Sequence, residues 1–244
     1  MNPSSQLEEM CRRASSRSVT FYSHFLNLAE QKEGLIAARR EGLFYTLWGG
    51  AEGAERCILA VSSEQEPDRS LFPLSCLLIA PRSTRFGGPL AHRDVLGSLM
   101  ALGITREQLG DIVLREEGAY LFCLDKMASF IVDSLEAVGG TPVKCSMTDA
   151  PQGELRKTQL CRLQVASPRA DAIVAHLFRL SRSDAQELFR REKVMLDDAP
   201  CLRTDTILQE GQVLSVRGFG RARYDGVENL SKKGKYNLLV SLYS

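Results

Sequence analysis

The sequence predicts an α+β fold, and three observations carry that expectation. Short apolar runs bounded by Gly, Pro or charged turn residues occur at 43–48, 57–61, 74–80, 112–115 and 119–124, the pattern expected of half-buried strands. Around them lie longer stretches whose apolar residues repeat every three or four positions, as amphipathic helices require. In the middle of the chain, helix, strand pair, helix and strand follow one another, which fits a small α+β layer. The 244 residues, 44% hydrophobic and 25% charged, suit a globular chain of one large domain or two to three small ones.

Taken in order, Phe21, Phe25, Leu28, Leu35 and Ile36 recur at intervals near three, four and seven. Helix is therefore expected through the first forty residues, with a bend or junction at Gly34. A strand at 43–48 stops at Gly49-Gly50, and strands at 57–61 and 74–80 follow. The segment PRSTRFGGP at 81–89 breaks the pattern and marks a soft domain boundary. Residues 94–102 read as a helix stopped by Gly103, and Thr105-x-x-Gln108 as a capping box. Strands at 112–115 and 119–124 flank Glu116-Glu117-Gly118 as a hairpin. Asp125 is placed to cap a helix running to about 138, with Met127, Phe130, Ile131 and Leu135 on one face. Residues 149–153 form a linker, and Arg162 and Gln164 make 160–165 an edge strand. The expected domains are 1–80, 81–160 and 161–244.

Several function classes drop out. The seven cysteines are odd in number and contain no C-x-x-C pair, so neither a disulfide framework nor a zinc site is expected. They read as small buried hydrophobes with inert thiols. His24, His92 and His176 are too dispersed for a metal cluster, and no cofactor is expected. Gly49-Gly50-x-x-Gly53 lacks the spacing of a nucleotide-binding fingerprint and reads as a turn. No apolar run approaches the roughly 18 residues that span a bilayer. The polar start MNPSSQLEEMCRRASS has no secretory character, so a cytoplasmic protein without membrane insertion is expected.

The net charge of +1 hides a split. Residues 1–150 carry 15 Lys/Arg against 19 Asp/Glu, whereas 151–244 carry 16 against 11. Such asymmetry points the basic end towards nucleic acid or an anionic surface.

In that basic end Ser167-Pro168 reads as a helix start, with Ile173, Val174, Leu177, Phe178 and Leu180 as its apolar face. Ser181 would cap a second helix with core residues Ala185, Leu188 and Phe189, after a connection as short as in a helix-turn-helix. Strands at 194–196 and 213–216 follow, with Asp197-Asp198 as a turn. Arg179, Arg182, Arg190, Arg191 and Lys193 crowd the second helix and its flanks. Point and fork charges on one rigid face suit a phosphate backbone, because binding releases its counterions. Amides at the start of the second helix would add an anion site beside Arg182. The competing reading is a solvated helix face. Arg217, Arg221 and Arg223, followed by Tyr224 and by Lys232, Lys233 and Lys235, suit phosphates and stacked bases. They would equally suit a basic hairpin at a sheet edge.

The run Arg179-Leu-Ser-Arg-Ser-Asp-Ala-Gln, then Lys193-Val-Met-Leu-Asp-Asp and Glu210-Gly-Gln-Val-Leu-Ser-Val-Arg, resembles the S4 (αL) RNA-binding domain. Glu192 stands where that family has Gly, Asp197 where it often has Asn, and Gln212 where it has Asp. Further motifs are similar to the YlmH family of bacterial S4-domain proteins. They are Trp48-Gly-Gly-Ala-Glu-Gly-Ala-Glu-Arg56, the run from His92 to Arg106, Gly110-Asp-Ile112, and Gly218-Phe-Gly-Arg-Ala-Arg-Tyr224. The resemblance covers nearly the whole chain. It implies an N-terminal α/β part, an RRM-like middle domain and a C-terminal S4 domain. It also implies association with the large ribosomal subunit, in rescue of stalled nascent chains, alongside a link to cell division.

The resulting expectation is a non-catalytic protein that docks on structured ribosomal RNA, with tRNA a second candidate ligand, and that is monomeric off the ribosome. Arg179, Arg182, Arg190, Lys193, Arg217, Arg221 and Arg223 would supply charge, and Ser181, Ser183 and Gln186 hydrogen bonds. In the middle domain His92 and Arg93 would contact RNA, or His92 would cap the following helix. His92-Arg93-Asp94 superficially matches a kinase triplet, but position 99 is Leu where that motif needs Asn. The alternatives are a pseudouridine-synthase-like enzyme using Asp94 or Asp111 as nucleophile, and a division protein binding its partner through the acidic N-terminal part. In the synthases the S4 module precedes the catalytic domain, the reverse of this order.

Overall fold

Strands buried on both faces shape the first 155 residues. The structure, a computed structural model, describes residues 3–83, 89–153, 155 and 158–243. It divides into two compact units, 1–155 and 156–244. The first contains α1 (Pro3–Ser15), β1 (Phe21–Leu26), α2 (Leu28–Arg40), β2 (Phe44–Trp48), β3 (Cys57–Ser62), β4 (Leu74–Pro81), α3 (His92–Ala101), β5 (Leu109–Arg115), β6 (Gly118–Leu124), α4 (Asp125–Ser134), β7 (Ala137–Val138) and β8 (Thr141–Thr148). Two antiparallel sheets result, in the orders β1-β3-β2 and β5-β6-β4-β8-β7.

Every residue of β3 is buried, so its alternate side chains enter two different cores. Leu59 and Val61 meet Leu7, Cys11 and Ala37 of the first two helices. Ile58 and Ala60 join Phe25 and, from the second sheet, Cys76, Val113 and Phe122. On that sheet's other face Leu77, Ile79, Leu121 and Cys123 pack on Val95, Leu99, Ala128 and Ile131 of α3 and α4. The unit is a four-layer stack of helices, sheet, sheet and helices.

A polar latch joins the two sheets where two of the sequence motifs meet. The buried Asp111 carboxylate accepts from the Glu55 and Arg56 amides at 2.8 and 3.4 Å. The Arg56 guanidinium returns bonds to the carbonyls of Leu109, Phe25 and Arg106. A Cβ on Gly110 would lie 2.7 Å from Phe25 and 2.9 Å from Phe122, so glycine lets the layers close. These motif residues build the unit, and Asp111 is committed to structure.

Three expectations for this unit need correction. Asp125 is the first residue of α4 and not its cap, which is Leu124, and the helix ends at Ser134 with 137–138 in a strand. Residues 21–26 form a strand where helix spacing had suggested continuous helix. Asn27 starts α2 with a capping box, accepting from the Glu30 amide while Glu30 accepts from the Asn27 amide. Gly34 causes no bend; it lies inside α2 against Leu59, where a Cβ would approach to 2.7 Å. The strand expected to close a domain at residue 80 is β4, which pairs with β6 and β8 inside the five-stranded sheet. Of the boundary segment 81–89, residues 84–88 lie outside the described residues.

The second unit contains β9 (Thr158–Val165), α5 (Ala170–Leu177), α6 (Arg182–Arg190), β10 (Val194–Leu196), β11 (Ala199–Pro200), β12 (Val213–Val216), β13 (Gly220–Leu230) and β14 (Tyr236–Tyr243). Its six strands pair antiparallel in the order β11-β10-β12-β13-β14-β9. Ile173, Val174, Ala185, Leu188 and Phe189 of the helices pack on Val194, Leu214, Val216, Ala222 and Val240 of the sheet. β9 is the edge strand expected from its polar interruptions.

The start of α5 is displaced from Ser167. Arg169 runs extended in a bridge to Ile207, and residues 168–171 bond to 204–208, through Leu208 N to Pro168 O, Ala170 N to Thr206 O and Asp171 N to Thr204 O. Helix therefore begins only at Ala170, with Arg169 at the cap. Tertiary pairing has overridden a local start signal.

Both helices end in the same way. Arg179 and Glu192 adopt φ of 54° and 53°, and the amides of Leu180 and Lys193 reach back to Ala175 and Leu188. Glu192 is therefore an L-residue at a left-handed helix stop that glycine would occupy more comfortably. The other two departures compensate one another. The Gln212 side chain donates to buried Asp197 at 2.9 Å, and the Val213 amide donates to the same carboxylate at 2.8 Å.

Replacing Glu192 by Gly should stabilise the second unit by about 1 kcal/mol in chemical denaturation, since the strained φ is relieved. Asp111→Ala should cost about 2–3 kcal/mol by stranding buried amides. An Asp111→Ala chain that melts like the parent would refute the latch.

Candidate nucleic-acid interface

The centre of the second unit's basic face is a buried acid. Asp171 lies at the start of α5, fully shielded from solvent. Its carboxylate accepts a two-pronged contact from Arg169 at 2.9 and 3.0 Å, and the Ala172 amide at 2.9 Å. From α6, Gln186 donates to it at 3.5 Å, and the Arg182 guanidinium lies 3.7 Å away. Burial alone would raise this carboxyl's pKa, but the bonds from Arg169 and Gln186 outweigh burial and hold it below the ordinary carboxylate value.

Ser181 caps α6 by accepting from the Asp184 amide at 3.1 Å, as the sequence predicted. Its hydroxyl also lies 2.8 Å from Ser183 Oγ and 2.6 Å from the Asp184 carboxylate. Ser181, Arg182 and Ser183 are exposed and sit together at the helix start, where the dipole and amides favour anions. A cavity of about 330 Å³ opens beside them, lined by Ser167, Arg169, His176 and Arg182 among others.

The basic residues named from sequence fall into two groups. Among the described residues, Arg179, Lys193 and Arg217 have no carboxylate partner. Arg190 shares Glu187 with Arg191 at 2.9 Å each, Arg221 pairs with Asp198 at 3.0 Å, and Arg223 pairs with Asp225 at 2.6 Å. The two arginines beside Glu187, Arg191 first, hold its carboxyl below the ordinary value. The Glu187 pairs are exposed, so a phosphate can compete for those arginines at little cost. Arg182 stands between the groups, tethered to Asp171 yet 69% exposed at its side chain.

Lys193 and Arg217 come together because the Arg217 amide donates to the Lys193 carbonyl at 2.9 Å. With Met195, Ser215, Phe219 and Arg221 they line an open cleft of about 620 Å³. Register explains its floor, since Met195, Ser215 and Arg221 are direct cross-strand neighbours on one sheet face.

In the first unit His92 and Arg93 are exposed at the start of α3. Ala91 occupies the N-cap position and makes no side-chain cap bond, so His92 is not the cap. Arg93 pairs with Asp94 at 3.4 Å. Burial raises the thiols of Cys57, Cys76 and Cys123 to about 12 and those of Cys11 and Cys145 to about 11, the inert state expected for them. Among the described residues there is no metal-binding cluster of His, Cys, Asp and Glu, and no helix long and apolar enough to cross a membrane.

Sequence reasoning missed Asp171, Arg169 and Phe219. An acid three residues before Val174 and seven before Phe178 on an apolar helix face was the available signal for Asp171.

Comparison with known proteins adds a further line. Residues 68–152 match the family model described as "Putative RNA-binding domain in YlmH". The chain is related to the YlmH proteins. It is 32% identical over 154 residues to Ribosome-associated protein quality control protein P2 of Bacillus subtilis (strain 168), covering 60% of this chain. The match spans 58% of that YlmH relative's length. The solved structure of Cell division protein ylmH from Streptococcus pneumoniae overlays with a TM-score of 0.52 at 22% identity, covering 59% of this chain and 87% of that one. At that identity the YlmH structure speaks to fold alone. The model match includes β4, in keeping with the pairing of that strand inside the five-stranded sheet.

The Asp171 contacts give a pH dependence. Because the folded carboxyl titrates below its unfolded value, its contribution is fully present above the unfolded value and is lost as pH falls through the folded one. Asp171→Asn should flatten the acid limb of unfolding monitored at α5 and α6. An unchanged acid limb would show that Asp171 does not hold these helices.

Proposed function

We propose that the chain is a non-catalytic RNA-binding protein that docks on structured ribosomal RNA of the large subunit, with tRNA as a second ligand. It would act in ribosome-associated quality control of stalled nascent chains, in the cytoplasm, and be monomeric off the ribosome. The observation that carries this reading is α6, where Ser181, Arg182 and Ser183 crown the helix N-terminus beside Arg179, and Lys193 and Arg217 come together just past its C-terminal end. Cations without carboxylate partners, set on one small rigid unit, are what phosphate contact requires. The printed name of the Bacillus subtilis relative, a ribosome-associated protein, supports the choice of RNA.

We read the second unit as an S4 domain, supported by its two short helices with Ser181 as cap and the strands after them. An RRM-like middle domain is supported by the run β4-α3-β5-β6-α4-β8 and the order β5-β6-β4-β8, a β-α-β-β-α-β connectivity. It does not present the usual stacking platform. The sheet face away from α3 and α4 carries Val113 and Phe122, which are buried against Phe25 and Ile58 of the first sheet. RNA contact by this domain would therefore run through the exposed α3 start at His92 and Arg93.

Sedimentation of lysates through sucrose gradients at rising salt tests the proposal. The parent chain should travel with large subunits at low salt and leave them steeply as salt rises. Arg182→Ala with Lys193→Ala should weaken binding roughly tenfold or more and shallow the salt slope by about two contacts. Salt-insensitive association, or a double variant that sediments like the parent, would refute it.

A further inference from the structure

The cleft beside Lys193 offers more than charge. Phe219 stands at the turn between β12 and β13, 45% exposed, with its ring 5.7 Å from that of Phe178 at 53°. Its position is held on both sides: the Phe219 amide donates to Val216 O at 3.0 Å, and Gly218 and Gly220 adopt φ of 89° and 143°. An exposed aromatic ring on a rigid turn costs hydration free energy unless something covers it.

Around that ring cations outnumber acids. Lys193 and Arg217, which have no carboxylate partner among the described residues, line the same cleft, as does Arg221 with its Asp198 partner. The exposed Glu192 is the acid that lines it, leaving the cleft net positive. At the floor, Ser215 Oγ is shielded from solvent and has no hydrogen-bond partner among the described residues.

A flat apolar ring rimmed by unpaired cations matches a nucleotide, whose base presents a π face and whose phosphate presents charge. We propose that this cleft takes one unstacked RNA nucleotide, its base against Phe219 and its phosphate between Lys193 and Arg217. The inference rests on the RNA-binding reading and sharpens it: the second unit would recognise a loop, bulge or end, not only a continuous helix. The volume of about 620 Å³ accommodates such a ligand.

Fluorescence anisotropy with the full chain tests this. The probes are a labelled RNA hairpin with an unpaired apical loop and a blunt RNA duplex of the same length. The parent should prefer the hairpin by about tenfold, within the range of base-aromatic stacking. Phe219→Ala should erase that preference, bringing the hairpin and the duplex to equal affinity. Phe219→Leu, which keeps the apolar contact with Phe178 but lacks a ring, should also lose most of it, with an unchanged melting temperature excluding misfolding. Equal affinity of the parent for both RNAs, or full preference retained by Phe219→Leu, would overturn the cleft. Binding to neither RNA would overturn the RNA-binding reading itself, and the cleft with it.

Discussion

The basic face of the second unit depends on one buried carboxylate. Asp171 is shielded completely, and a lone charge there would be costly. It is tolerated because Arg169 grips it with two bonds and Gln186 and Arg182 approach from the next helix. Those same contacts fix the start of α6 relative to α5. The anion-attracting helix end and the direction of Arg182 follow from that geometry. Gln186 and Arg182 thus serve the fold first, and what they offer a ligand is what Asp171 leaves exposed.

The first unit shows the opposite economy. Its most distinctive sequence motifs, around Arg56 and Gly110-Asp111, are spent on joining two sheets. The interlayer core they close, with Phe25, Ile58 and Phe122, occupies the sheet face that a β-α-β-β-α-β domain would otherwise leave open. Interaction by this unit is left to its periphery. The candidate surfaces therefore separate by chemistry: a turn and a helix start rich in cations in the second unit, and a short exposed helix start in the first.

Much of this was legible because local physics prevailed. The hairpin of β5 and β6, the Gly103 stop and the Ser181 cap follow from turn chemistry and short apolar runs within a few residues. The failures are non-local or ambiguous. Phe21, Phe25 and Leu28 satisfy helical spacing and equally furnish a strand and the helix after it; the Asn27-x-x-Glu30 box was the sign that separates them. Ser167 lost its helix to pairing with residues 204–208, some 40 positions away. β13 carries arginines and glycines that hid an eleven-residue strand, and only its register shows that Arg221 shares a face with Met195 and Ser215. The Asp171 cluster needed the approach of two helices to exist at all.

The face built on Asp171 is the proposed site of RNA contact. Ultraviolet cross-linking of the full chain on purified large ribosomal subunits, with mapping of RNA-adducted peptides, tests that most directly. Docking through this face should give adducts on peptides spanning residues 179–193 and 215–221. Adducts confined to residues 3–153, with those two segments unmodified, would contradict it.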